Sequence, residues 1–213
     1  MKIDDIQISA NSALLVVDMQ NDFLPGGSLA VSEGDRIIPQ INDLIQKFHE
    51  NQGKIIFTQD WHPIGHHSFA SVYDSKKPGD VIETAGLGPI LWPDHCIQGT
   101  KGAEINEKLQ IVYATAILRK GYRKEIDSYS AFLENDKLTK TGLTGLLNDL
   151  NVRKIFVCGL ALDYCCFYTA IDAKKEGFEV FFLQNLTKGI DQPENNIQIS
   201  LDKMEHEGIQ IVQ

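Results

Sequence analysis

KIFVCGLALDYCCFYTAIDAKKEGFEVFFL, residues 154–183, decides the fold. It opens on Lys154-Ile155-Phe156-Val157-Cys158-Gly159, a short apolar run that reads as a buried strand. Asp163 to Glu176 then reads as a helix, stopped by Gly177, because glycine readily takes the left-handed conformation that ends helices. Phe178 to Leu183 is apolar again and reads as a second strand. Strand, helix and strand in this order make a βαβ unit, the crossover that parallel strands require.

The alternation continues outward in both directions. Leu14-Leu15-Val16-Val17 is a strand ending at Asp18. Between Arg36 and Gln52, the residues Ile37, Ile38, Ile41, Leu44, Ile45 and Phe48 recur at helical spacing, and Gly53 closes the segment. Ile55-Ile56-Phe57 is a strand ending near Asp60, and Thr115 to Leu118 is another that leads to Lys120-Gly121. Thr141 to Leu150 and Glu194 to Glu207 read as helices, and Ile209 to Val212 as a last strand. The pattern predicts a three-layer α/β fold: a doubly wound, mostly parallel six-stranded sheet with helices on both faces. No repeat, low-complexity tract or linker interrupts residues 1–213, so one domain is expected. Trp61 to Gly102 shows no period and carries Pro63, Pro78, Pro89 and Pro93, the profile of a functional loop.

Bulk properties exclude several classes of function. The chain has 213 residues, 43% hydrophobic and 23% charged, an ordinary globular composition. Its net charge of −9 argues against nucleic acid, which demands a basic surface. No apolar run approaches the roughly 18 residues that span a bilayer, so no membrane partner is expected. Met1 to Asn11 lacks the order of a signal peptide, which makes the cytoplasm the expected location. The four cysteines, Cys96, Cys158, Cys165 and Cys166, then read as thiols rather than disulfides, and the absence of a CxxC pair disfavours a thiolate metal site.

In open α/β sheets, ligands bind beyond the carboxyl ends of the strands. Here the strands lead to Asp18, Asp60, Lys120 and the turn before Cys165. Near a helix start, Cys165 would meet free N–H groups that stabilise a thiolate and could receive an oxyanion. Position alone serves equally well for a small core residue. Cys158 and Cys166 read as core. A cysteine nucleophile needs a base, and Asp18, its pKa raised by burial at a strand end, could supply one, with Lys120 as a neighbouring cation. Asp60-Trp61-His62 places a carboxylate and an imidazole at i and i+2, on one side of an extended segment. His95 is the best third ligand, with His66 and His67 as further candidates; such a set suits zinc, iron or manganese. His49 and His206 read as exposed and uninvolved.

Together these segments resemble the nicotinamidase/pyrazinamidase group of the isochorismatase-like cysteine hydrolases, over nearly the whole chain. The resemblance is carried by Asp18-Met19-Gln20-Asn21-Asp22-Phe23 with Gly26-Gly27-Ser28-Leu29, Gln59-Asp60-Trp61-His62-Pro63, Trp92-Pro93-Asp94-His95-Cys96, Lys120-Gly121, Asp127-Ser128-Tyr129-Ser130-Ala131-Phe132 and Gly159-Leu160-Ala161-Leu162-Asp163-Tyr164-Cys165. It implies a catalytic triad of Asp18, Lys120 and Cys165. It implies one divalent metal ion, zinc first with iron or manganese as alternatives, on Asp60, His62 and His95, and His66 as an additional candidate ligand. It implies a non-proline cis peptide before Ala161 that aims the N–H groups of Ala161 and Cys165 at an oxyanion, and a ring pocket containing Phe23, Trp92 and Tyr164. The implied reaction is hydrolysis of nicotinamide, and of pyrazinamide, in NAD salvage. It would run through a Cys165 thioester, with the metal holding the pyridine nitrogen and activating the hydrolytic water. A homo-oligomer is compatible with this reading.

The sequence departs from the group's pattern at Leu162, Cys166 and Asn185-Leu186-Thr187-Lys188, which touches the rim rather than the triad or the ligands. Rival readings fare worse. Isochorismatases and carbamoyl amidases of the same fold mostly lack the full metal set. A dinucleotide-binding dehydrogenase would need a GxGxxG after its first strand, where this chain has Met19-Gln20-Asn21-Asp22. A non-enzymatic scaffold would be expected to lose a triad member.

Overall fold

The computed structural model describes residues 6–213. Six strands form one sheet: β1 (Ser12–Val17), β2 (Lys54–Asp60), β3 (Ala116–Lys120), β4 (Lys154–Leu160), β5 (Glu179–Lys188) and β6 (Gln210–Val212). Their order is β3-β2-β1-β4-β5-β6 and every pairing is parallel. The helices are α1 (Ile38–Glu50), α2 (Leu143–Asp149), α3 (Phe167–Lys175) and α4 (Asn196–His206). The expected doubly wound α/β fold is the one observed, with a sheet that is parallel throughout.

Strand β1 explains the layering. It is buried along its whole length, so its alternate residues feed two separate cores. Ala13, Leu15 and Val17 join Leu143 and Leu147 of α2, Ala170 and Ile171 of α3, and Leu201 and Met204 of α4. Leu14 and Val16 join Ile38, Ile41, Leu44, Ile45 and Phe48 of α1. Each such side chain, fully buried, contributes on the order of 1.5–3 kcal/mol, so two-sided burial makes β1 the axis of the fold. Next to it, Gly159 of β4 adopts φ +111°, and a Cβ there would lie 2.1 Å from the Val17 carbonyl oxygen. Only glycine allows that approach, which sits where the chain order reverses, between β1 and β4.

The elements differ from the expected ones mainly at their ends. Helix α1 is preceded by a 3-10 turn, Gly34–Ile37, and carries Pro39 in its first turn, where a missing N–H costs nothing. The segment expected as one helix from Asp163 begins as a wider, π-type turn, Leu162–Cys166, before α3. Strand β5 runs to Lys188, past the expected Leu183, and shifts register opposite Val157 and Gly159. The aperiodic stretch after β2 holds one 3-10 turn, Ala70–Val72, and folds back through the bridges His62–Ile97 and Phe69–Trp92. No helix among the described residues is long and apolar enough to cross a membrane.

Candidate active site

The carboxyl ends of the central strands deliver their polar residues to one buried point. Asp18 follows β1 in a left-handed turn (φ 46°), a conformation that Asp tolerates better than most residues. Thr58 of β2 pins it: the Thr58 hydroxyl donates to Asp18 Oδ1 at 2.5 Å and accepts from the Asp18 N–H at 3.0 Å. Lys120, at the end of β3, is fully buried. Its Nζ lies 2.8 Å from Asp18 Oδ2, and it donates to Asp60 Oδ1 at 2.6 Å and to the Ser128 carbonyl at 2.7 Å. It is also 3.5 Å from Cys165 Sγ. Carboxylate oxygens of Asp18 and Asp60 and the Cys165 sulfur lie within 4.8 Å of one another.

The charges follow from this geometry. Burial pushes the Asp18 carboxyl above its ordinary pKa, against the pull of Lys120. Burial acts the same way on Asp60, but there Lys120 and His62 win and hold the group well below the carboxylate range. Desolvation would strip Lys120 of its proton, yet the two carboxylates keep it firmly protonated. The Cys165 thiol is pushed well up by burial, with Lys120 opposing. That direction favours the protonated sulfur, the form from which a base takes a proton. Asp18 Oδ2 pairs with the Lys120 ammonium at 2.8 Å, and an Asp18 oxygen lies within 4.8 Å of the Cys165 sulfur, which puts the carboxylate within reach of the thiol proton.

Asp60, His62 and His95 each offer one ligand atom within 4.8 Å of the others. Their tautomers are set from behind. His62 Nδ1 donates to the Gly121 carbonyl at 2.8 Å, and His95 Nδ1 donates to the Pro93 carbonyl at 2.8 Å. Both Nε2 atoms then face Asp60 Oδ2, at 3.5 and 3.9 Å. Burial and the neighbouring His62 push His95 down to about 4, which leaves its lone pair free. Burial likewise disfavours the charged form of His62, but the Asp60 carboxylate outweighs it and raises its pKa. One carboxylate oxygen and two imidazole nitrogens that face each other without a donor between them fit a divalent cation with open coordination positions.

His66 borders that trio through His62, with which, together with Asp127, it forms a second cluster of possible ligand atoms. Its Nε2 faces the Ile126 carbonyl at 3.3 Å and its Nδ1 faces the Ser68 hydroxyl at 2.7 Å, while its ring lies against His62 with centroids 4.4 Å apart. His49 and His206 are exposed, as expected. Cys158 and Cys166 are fully buried in the core.

Beside the sulfur is a narrow slot, with about 20 Å³ of free space. Phe23, Trp92, Ala161, Tyr164 and Cys165 line it with Asp60 and His95, and so do Leu29, Asp127 and Tyr129, which the sequence motifs contain without a role, and Ile190, which they do not. Trp92 donates from Nε1 to the Tyr129 hydroxyl at 3.0 Å and meets Tyr164 edge-on at 4.9 Å, which makes an aromatic wall. The peptide between Leu160 and Ala161 is cis. Leu162 and Cys166 pack into a core cluster instead of lining the slot. Thr58 carried a usable signal: it stands two residues before Asp60 on a strand, hence on the same face. Ile190 carried none, because only the fold brings its loop to the site.

A family model described as the isochorismatase domain matches residues 12–213. A nicotinamidase from Acinetobacter baylyi is 44% identical over 200 residues, which cover 94% of this chain and 91% of the relative. A solved nicotinamidase/pyrazinamidase from Acinetobacter baumannii superposes with a TM-score of 0.92 at 44% identity, over 97% of this chain and 98% of that one. A pyrazinamidase from Pyrococcus horikoshii, solved in complex with zinc, gives a TM-score of 0.75 at 38% identity, over 95% and 99% of the two chains.

Proposed function

The chain belongs to the isochorismatase family, and from that premise we propose that it is a metal-dependent nicotinamide amidohydrolase, which converts nicotinamide to nicotinate and ammonia in NAD salvage. Pyrazinamide, a close isostere, is a second substrate. The observation that carries the reading is Lys120: one buried ammonium joins Asp18, Asp60 and Cys165, and so links a nucleophile with its base to a three-ligand metal set.

In this reading Asp18, Lys120 and Cys165 form the triad. The aromatic slot takes the pyridine ring and sets the carboxamide carbon against Sγ. Asp18, its carboxyl pKa raised above the ordinary range by burial, accepts the thiol proton as sulfur attacks. The carbonyl oxygen becomes an oxyanion, received by the N–H groups of Ala161 and Cys165. The N–H groups of Tyr164 and Cys166 both donate to the Ala161 carbonyl, which ties the turn around Cys165 to the residue before it. Asp18 then returns the proton to the departing nitrogen, ammonia leaves, and a Cys165 thioester remains. Water cleaves the thioester; Asp18 takes its proton and passes it back to the sulfur as nicotinate departs. Lys120 stays charged throughout and holds Asp60 ionised while the proton moves on and off Asp18.

Asp60, His62 and His95 would hold the metal, zinc first and iron or manganese otherwise. A bound divalent ion supplies Lewis acidity toward the ring nitrogen and water. The same trio disfavours a metal-free hydrolase of the family. Four free thiols accord with the reducing cytoplasm as the place of reaction. Ammonia release from nicotinamide by the zinc-loaded protein tests the reading, and no release contradicts it.

A further inference from the structure

Gln20, Asn21 and Asp22 follow Asp18 closely, yet none of them lines the slot. Each side chain grips a different segment. Gln20 is fully buried. Its Oε1 accepts the Asp60 N–H at 2.8 Å, and its Nε2 donates to the Asp60 carbonyl and the Ala103 carbonyl, both at 2.8 Å. It thus satisfies both main-chain groups of Asp60, as a neighbouring strand would. Asn21 donates to the Lys101 carbonyl at 2.8 Å and accepts from Asn106 Nδ2 at 2.8 Å. Asp22 Oδ2 accepts the Cys96 N–H at 2.7 Å, one residue past His95. Cys96 is in the left-handed region (φ 47°), uncommon for such a residue, and its carbonyl accepts the His62 N–H at 3.0 Å.

From this we infer that Gln20 and Asp22 form a clamp that sets the spacing of Asp60, His62 and His95. Both are positioning residues for the metal set, acting through the backbone of the ligands. The inference rests on the metal site proposed above. It matters because the ligands come from two separate segments, residues 60–62 and residue 95, while a metal tolerates errors of only about 0.2 Å in ligand distance. Partners outside the ligands themselves typically account for 10–100-fold in metal affinity. The clamp also ties the segment that begins at Asp18 to both ligand segments, so the peptide that carries the base also braces the metal ligands.

The test is a competition titration of the zinc-loaded full chain with a chromophoric chelator, alongside far-UV circular dichroism and thermal unfolding. Gln20→Ala and Asp22→Ala are expected to bind zinc at least tenfold more weakly while remaining folded. Asp22→Asn keeps an oxygen acceptor for the Cys96 N–H and is expected to stay within about threefold of wild type. At saturating zinc, kcat of the alanine variants is expected to recover most of its loss, which a merely structural defect would not do. If Gln20→Ala does not fold, Gln20→Glu carries the test, since it keeps the acceptor for the Asp60 N–H and loses both donors. Folded alanine variants that hold zinc as tightly as wild type overturn the clamp. A wild type that binds no zinc overturns it together with the metal site. A wild type that binds zinc but releases no ammonia contradicts the proposed activity alone, and the affinity comparison still decides the clamp.

Discussion

Nζ of Lys120 lies 2.6 Å from Oδ1 of Asp60, slightly nearer than to Asp18 Oδ2 at 2.8 Å. One buried cation therefore compensates two buried carboxylates, the proposed base and the proposed metal ligand. Neither carboxylate could stay charged there unaided, since removing an ion from water costs several kcal/mol that only close pairing offsets.

Replacing Lys120 should be felt in stability as well as rate. Lys120→Met leaves Asp18 and Asp60 facing each other without their cation. The expected loss is about 3–5 kcal/mol of unfolding free energy, the usual cost of removing one partner from a buried ion pair. Denaturant unfolding measures it, and an undiminished midpoint would contradict the shared-cation arrangement.

The acid limb of activity should report Asp18. Burial raises its folded pKa, and the like charge of Asp60 adds to this against the opposing Lys120. Catalysis needs the ionised form, so kcat/KM should fall as pH drops through a value above the ordinary Asp range of about 4. A profile that stays flat to pH 4 would argue against Asp18 as the proton acceptor.

His62→Ala or His95→Ala should strip the protein of its metal. Each variant removes one of three converging donors. Elemental analysis of purified protein is expected to find at least tenfold less bound metal than in wild type. Equal content would move the site elsewhere.

Gly121→Ala is a quieter probe of the same ligand. Gly121 has φ +65°, and a Cβ there would stand 2.5 Å from Cε1 and 2.9 Å from Nδ1 of His62. The ring must shift, and the hydrogen bond from Nδ1 to the Gly121 carbonyl shifts with it. Expected are a destabilisation of about 1–3 kcal/mol and weaker metal binding, read by thermal unfolding and by metal retention against a chelator. Retention equal to wild type would show that this hydrogen bond does not orient the ligand.

The strand ends were the most legible part of this molecule. Asp18, Asp60 and Lys120 stand out because each closes a short apolar run, and a parallel sheet gathers such ends at one edge. Cys165 was harder. The residues from Asp163 read as plain helix because apolar spacing cannot separate an i→i+5 turn from an i→i+4 one, yet the chain makes the wider turn at Leu162–Cys166. The raised thiol pKa was also hidden, since it depends on how completely the site is buried. Gln20 and Asp22 form part of a recognisable motif, but their partners, Asp60 and Cys96, lie 40 and 74 residues away, and only the folded chain reveals what they hold. Ile190 reaches the slot through a loop tied down by Asp163, whose carboxylate accepts the Ile190 N–H at 2.9 Å and the Asp191 N–H at 2.8 Å, a pairing no local pattern encodes.

Ammonia release from nicotinamide, measured on zinc-loaded wild type and on Cys165→Ala side by side, tests the central claim most directly. The account predicts steady release by wild type and a loss of at least about a thousandfold in the variant, as befits a nucleophile acting with its base as one unit. Silence from the metal-loaded wild type, or release that survives the loss of the Cys165 sulfur, would contradict it.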